Sequence, residues 1–203
     1  MKDIREYIQS GILEWYVLGV ATPEEAAEVE RLAVAHPEIS QELATISQTL
    51  EAYALAHAVE PKATIKPLIL ATIDYQQRLQ NGEAVSIPPV LTPTSQVTDY
   101  ATWLNRPDMI LPANAEAIHV KLIGATAAAT TAIVWLTGVT GNEVHHQEYE
   151  RFLIVEGSCD IIVGEEIHHL VPGSFYEVPL HAKHMVKVTS AMPCKVILQR
   201  IAA

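Results

Sequence analysis

Cysteine is scarce in this chain. Only Cys159 and Cys194 occur in 203 residues. Two cysteines 35 positions apart do not make a disulfide framework, and both read as buried, reduced thiols in strands. Positive charge is also short, with 13 Lys and Arg against 24 Asp and Glu and a net charge of −11. The deficit is spread along the chain, −6 over residues 1–80 and −5 over residues 81–203. A nucleic-acid surface needs clustered cations to neutralise phosphates, so direct nucleic-acid binding is not expected. A basic protein partner suits the field better. No apolar run approaches the roughly 20 residues of a membrane span. The opening MKDIREYIQSG is polar and charged, unlike a signal peptide. The expectation is a cytoplasmic protein with no membrane contact. Long internal repeats are absent too, and the only biased tract is the Ala/Thr cluster at 125–132.

What is present divides in two. Residues 3–80 carry helical spacing. Ile4, Ile8, Ile12 and Trp15 mark a first helix with Tyr7 and Tyr16 beside them, stopped at Gly19. Thr22-Pro23-Glu24-Glu25 opens a second, with Thr as cap, Pro at the first helical position and Glu25 closing a capping box. His36-Pro37 ends it, because the residue before proline is pushed out of the α region. Ile39, Leu43, Ile46 and Leu50 stripe a third helix. A fourth starts near Thr64, with Pro67 tolerated in its first turn, and carries Leu68, Ile69, Thr72, Ile73 and Tyr75.

Residues 81–98, NGEAVSIPPVLTPTSQVT, hold three prolines and one charge, the composition of a linker. From Tyr100 onward the runs IHVKLIG, TAIVWLTG, RFLIVEG, CDIIVG, HHLV, SFYEV, HMVKV and CKVILQRI are punctuated by Gly, Pro, Asn or Asp. Short, evenly spaced strands of this kind predict a sandwich or barrel. The fold class expected is α+β in two domains. A small helical bundle of about four helices spans 1–80, a Pro-rich linker 81–98, and a β-barrel 99–203.

Six of the nine histidines fall between His145 and His184, mixed with Glu143, Glu148 and Glu150. Imidazoles and carboxylates delivered from separate strands are what a metal pocket inside a barrel needs. Glu143 and His145 lie two apart and share a strand face, while His146 points the other way. His184 alternates in step with Val186 and Val188, on the apolar, inward side. His181 is a loop residue at the barrel mouth. Phe152, Ile154, Phe175, Trp135 and Val186 are candidates to line an apolar pocket.

The spacing resembles the cupin superfamily, a double-stranded β-helix or jelly-roll barrel. Its first motif runs G-x5-H-x-H-x(3–4)-E-x6-G. Glu143-Val144-His145-x4-Glu150-x6-Gly157 follows it, with Glu143 at the first histidine and the family's opening glycine falling at Thr137. A second register through His146 would put Val144 at that first position, and valine cannot bind a metal. The second motif, G-x5-P-x-G-x2-H-x3-N, is followed by Gly173-x5-Pro179-x-His181-x2-His184, with His181 at the glycine and Val188 at the asparagine. The resemblance implies one divalent transition metal at Glu143, His145, Glu150 and His184. His146 and His181 would be additional or supporting contacts. This mixed carboxylate and imidazole set suits Zn, Mn, Fe or Ni, and likeness to zinc-loaded sensor cupins favours Zn.

The helical half resembles the N-terminal domain of bacterial anti-sigma factors. The resemblance is carried by ILEWYVLGVATPEEAAEVERLAVAHPEISQEL, over roughly residues 8–75. It implies sequestration of an extracytoplasmic-function sigma factor, through a surface expected at Trp15, Tyr16, Leu18, Leu68, Ile69 and Ile73. An anti-sigma domain followed by a cupin resembles the ChrR-type architecture, in which the cupin senses a signal, here a metal or a small molecule in its pocket. The His-x3-Cys-x2-Cys zinc cluster of zinc-binding anti-sigma domains has no counterpart, since the helical half has no cysteine. His36 and His57 therefore read as helix-end residues. The expectation is a transcription regulator rather than an enzyme. The alternatives are a metal-dependent cupin dioxygenase or isomerase and a non-catalytic ligand-binding cupin. A homodimer through the cupin is a further expectation.

Overall fold

A computed structural model describes residues 3–203. They fall into two compact units, one ending at Glu60 and one running from Pro61 to Ala203.

The first unit holds α1 (Ile4–Ile8), α2 (Ile12–Val17), α3 (Pro23–Ala35) and α4 (Pro37–Ala56). The single first helix expected from sequence is broken in two. Gly11 takes a left-handed φ of 85° that no interior helical residue adopts, and the Ser10 hydroxyl donates to the Tyr7 carbonyl at 2.7 Å. The capping box at α3 is formed. The Thr22 amide donates to Glu25 at 2.9 Å, and the Glu25 amide donates to the Thr22 hydroxyl at 3.3 Å. Leu13, Val29, Leu32, Ile39, Ile46 and Tyr7 make this unit's core.

The second unit opens with α5 (Ile65–Gln80). This helix corrects the expected boundary. It belongs with the β-domain, where Ala71 and Tyr75 are buried in the barrel core and Leu68 and Leu79 pack against it. Eight strands follow: β1 (Ile118–Ala125), β2 (Ala129–Leu136), β3 (Glu148–Glu156), β4 (Cys159–Val163), β5 (Glu166–Leu170), β6 (Phe175–Val178), β7 (His184–Val188) and β8 (Cys194–Ala202). They form an antiparallel five-stranded sheet, β1-β2-β8-β3-β6, and a three-stranded sheet, β5-β4-β7. Alternation sends Phe152 and Ile154 of β3 and Cys194, Val196 and Leu198 of β8 into the barrel core. Leu153 and Ile197, one residue out of step, face a second apolar layer outside the large sheet. Both cysteines are buried and free.

That outer layer overturns the linker reading of 81–98. Leu91 and Tyr100 are fully buried there with Trp135. The Leu91 amide donates to Gln199 Oε1 at 2.8 Å, the Arg151 guanidinium donates to the Leu91 carbonyl at 2.7 Å, and the Tyr100 hydroxyl donates to the Pro89 carbonyl at 2.8 Å. Pro88 lies so close to Gly124 that a Cβ there would meet it at 2.3 Å. A proline strap suits such a place, because each missing N–H is one fewer donor to satisfy against an apolar sheet face. A short 3-10 helix (Val97–Tyr100) and α6 (Ala101–Leu104) complete the strap. The exposed, non-helical stretch is instead residues 57–63.

Limited tryptic digestion is therefore expected to cut first at Lys62 and to release a resistant fragment that begins just beyond it. Early cleavage within 81–98 would contradict the packed strap. Among the described residues, no helix is long and apolar enough to cross a membrane.

Candidate metal and ligand site

Four residues named from sequence meet at one end of the barrel. One ligand atom from each of Glu143, His145, Glu150 and His184 lies within 4.8 Å of all the others. Backbone geometry explains the convergence. An isolated bridge joins Glu143 to His184, with amide-to-carbonyl bonds of 2.8 and 3.0 Å in both directions. Glu150 sits at the inward register of β3, and His184 opens β7 on its inward side. Glu143, Glu150 and His184 are all more than nine-tenths buried.

The polar contacts are close. His184 Nε2 lies 3.0 Å from Glu150 Oε2, and His145 Nε2 lies 3.4 Å from both Glu150 Oε2 and Glu143 Oε2. Arg200, which the sequence reading passed over, completes the cluster from β8. Its Nε donates to Glu150 Oε1 at 2.9 Å and its Nη2 to Glu143 Oε2 at 3.2 Å, with Glu148 Oε1 at 3.6 Å. A signal existed in CKVILQRI, since Arg200 alternates in step with inward Val196 and Leu198. A cation at such a position needs buried anions.

The electrostatics follow from this pairing. Burial opposes charge on Glu150, yet His145, His184 and Arg200 outweigh it and hold the carboxyl far below the usual carboxylate range. Burial likewise opposes charge on Glu143, and His145, Thr64 and Arg200 together still bring its pKa down. His145 is pushed up to about 9 by its contacts with Glu143 and Glu150.

The donor set fits a cation on a specific observation. Glu143 Oε1 and His145 Nε2 are buried with no hydrogen-bond partner. Buried polar atoms without partners are rare and call for an occupant. Arg200 anchors one oxygen of each carboxylate, Glu150 Oε1 and Glu143 Oε2, and thereby aims the other oxygen inward. Supporting contacts of this kind orient ligands in metal sites.

The cluster closes one side of a cavity of about 70 Å³, room for about two water-sized groups. Most of the rest of its wall is apolar, from Val120, Leu122, Val134, Phe152, Val186 and Leu198, with Thr130 and Thr140 among them. Thr64 and Leu68 of the α5 segment also line it. Leu68 is therefore not the surface residue expected from sequence, whereas Ile69 and Ile73 on the same helix are about half exposed. Trp135 and Phe175, expected near the pocket, belong to the outer layer instead, because they sit out of step with the inward register.

His146 and His181 stand outside the ligand cluster. Both are exposed, and their Nδ1 atoms pair with each other at 2.8 Å. His181 nevertheless supports the site, since its amide donates to the His145 carbonyl at 2.8 Å. It holds a left-handed φ of 63°, costly for a histidine, at the place where the motif has glycine. His168 and His169 are on β5, away from the cluster, the latter bonded to Asp160 at 2.6 Å.

Comparison with known proteins bears on the β-domain. Residues 134–199 match the cupin domain family Cupin_2. Comparison with curated proteins yields no match. Solved structures similar to the chain include the cupin domain of Schizosaccharomyces pombe Cnp3, at 10% identity and a TM-score of 0.42, covering 44% of this chain and 67% of that one. TT1209 from Thermus thermophilus is 23% identical, with a TM-score of 0.42 and coverage of 45% and 90%. The Cupin_2 domain of an XRE family transcriptional regulator from Enterobacter cloacae is 16% identical, with a TM-score of 0.39 and coverage of 42% and 97%. The family match over residues 134–199, laid over a two-sheet antiparallel barrel with a carboxylate and imidazole cluster inside it, gives this region of the chain a cupin-like fold.

Proposed function

We propose that this chain is an anti-sigma regulator. Its helical unit sequesters an extracytoplasmic-function sigma factor in the cytoplasm, and its cupin domain senses occupancy of the barrel site. The observation that carries the reading is the character of the helical unit. It is a compact unit of its own and holds eleven acidic against three basic residues over 1–60. It also leaves Trp15, Leu18, Val20 and Tyr53 more than half exposed. Large apolar side chains on an acidic surface fit a partner that is apolar and basic. Tyr16 contributes less to that surface, being half-buried with its hydroxyl on Glu30 at 3.3 Å.

The cupin site is assigned to one divalent transition metal, Zn first, held by Glu143, His145, Glu150 and His184. Mn, Fe and Ni share the donor preference. A bound ion supplies concentrated positive charge at the polar end of the cavity. The chain's own residues do the rest. Arg200 fixes the carboxylates, His181 holds the His145 backbone, and the apolar wall excludes bulk water. A small-molecule signal would have to fit the remaining apolar space. A ligand-binding cupin without a sigma partner is the second reading, favoured by that apolar wall alone.

The test is a pull-down of the full chain from its native cell, with metal analysis of the same sample. A sigma factor and about one metal per chain are expected. Trp15→Glu with Leu18→Glu is expected to weaken sigma binding at least about tenfold, as loss of central apolar anchors does. Glu150→Ala or His184→Ala is expected to abolish metal uptake while basal sigma binding persists. Recovery of no sigma factor would sink the regulator reading, and absence of metal after adding Zn, Mn or Fe would sink the metal assignment.

A further inference from the structure

We propose that the groove between α5 and β1 binds a small monocarboxylate with an apolar body, and that Lys121 and His119 hold its charged end. None of the four metal-site residues lines this groove, and the inference does not rest on the metal reading.

The strand places both residues. Ile118 and Leu122 of β1 are buried in the barrel core, so alternation turns His119 and Lys121 outward on one face. Across the groove lies α5, where Lys66, Leu70 and Asp74 recur every four residues along one side. Pro112 and Glu116, ahead of β1, also line it. The volume is about 410 Å³, within the roughly 300–1,000 Å³ of small-molecule sites. From Lys66 to Asp74 the groove runs about 12 Å, at about 1.5 Å per helical residue.

The charges in the groove are unevenly matched. Lys66 bonds Glu116 directly. Asp74 is the acidic partner of Lys121, but its Oδ2 accepts from Arg78 Nε at 2.9 Å, and its Oδ1 stays 3.9 Å from the Lys121 ammonium. That is beyond hydrogen-bond reach. The Lys121 side chain is only 18% exposed, so water replaces little of what Asp74 does not supply. Two positions away, His119 Nε2 is buried with no hydrogen-bond partner. Burial, and then the charge of Lys121, push the His119 pKa down, so the ring is neutral and can carry its hydrogen on Nε2. An ammonium without a bonded anion and an imidazole nitrogen without a partner thus stand on one strand face. A carboxylate answers both, one oxygen accepting from Lys121 and the other from His119.

The rest of the groove selects the body of the ligand. Pro67, Leu70, Ala71 and Pro112 make an apolar wall. The partly exposed Asp74 and Glu116 disfavour a second negative charge, which argues for a monocarboxylate over a phosphate. Ile118 and Val120 line both this groove and the barrel cavity, so the ligand lies against a strand that also walls the metal site.

The experiment is an NMR titration of the full chain with hexanoate, following the His119 imidazole and the β1 amides. Saturable shifts below about 10 mM are expected. Hexanol, which has the same body and no charge, is expected to bind at least about tenfold more weakly. Lys121→Met, which keeps the stem, is expected to weaken hexanoate at least about tenfold, and His119→Phe about fivefold. Leu70→Glu places a charge in the apolar wall at a residue 54% exposed, so the fold tolerates it, and is expected to abolish binding. Thermal unfolding of each variant checks the fold, and Leu70→Glu decides if Lys121→Met does not fold. Zinc-free and zinc-loaded protein are expected to bind hexanoate equally. Binding that requires zinc would put the carboxylate in the barrel, overturning the groove and leaving the metal site standing. Absence of saturation, equal affinity for hexanol, or parental affinity in Leu70→Glu also overturns the proposal.

Discussion

Arg200→Met is expected to destabilise the cupin domain by about 3–5 kcal/mol, the usual penalty for removing one partner of a buried ion network. Glu143 and Glu150 are each more than nine-tenths buried, and Arg200 bonds both. Without the guanidinium, two carboxylates face each other with only His145 and His184 to offset them. Methionine keeps the stem packed against the barrel, so the loss reports charge rather than volume. Added zinc is expected to return much of that stability. Saturation at about 100 times the dissociation constant contributes about 2.7 kcal/mol. Denaturant unfolding followed by the fluorescence of Trp103 and Trp135, both in the second unit, with and without zinc, measures both effects. A loss below about 1 kcal/mol would mean that Arg200 does not hold the site together. A loss with no recovery in zinc would leave the network as pure scaffold.

The second large effect lies outside the site. Glu83 is expected to contribute about 2–3 kcal/mol at neutral pH. Its carboxylate accepts from the Arg106 guanidinium at 2.6 and 2.9 Å and from Arg78 at 2.7 Å. Arg78 also reaches Asp74 on its own helix and the Leu122 carbonyl on β1. This one carboxylate therefore joins α5, the proline strap and the sheet. Bonds from Arg106 and Arg78 overcome burial and pull its pKa down to about 2.

The folded value lies below the ordinary one near 4.5, so the contribution is fully present above pH 4.5. It is lost as pH falls from 4.5 to about 2. Glu83→Gln is expected to show the lower stability at pH 7 and to remove that portion of the acid sensitivity. Equal stability of variant and parent at pH 7 would refute the assignment.

Much of the fold was readable in the chain. Short apolar and β-branched runs placed all eight strands, because the Gly, Pro, Asn and Asp between them break extended structure. Thr22 and Glu25 marked a helix start, because an N-terminus leaves amides that only such side chains satisfy locally. The cupin resemblance implied Glu143, His145, Glu150 and His184 as a set, and the structure brings one ligand atom of each together. Other features were not local. Ile65–Gln80 is amphipathic whether its apolar face meets other helices or a barrel, and only the packing of Ala71 and Tyr75 decided for the barrel. Residues 81–98 have a linker's composition, yet a proline strap and a free linker differ only in what lies beneath them. Here that is Gln199, Arg151 and Gly124. Arg200 joined the site for the same reason. Its partner Glu150 is 50 positions away in sequence, and only closure of the barrel brought the two charges within reach. Periodicity determines which face of an element is buried, and tertiary closure determines what it is buried against.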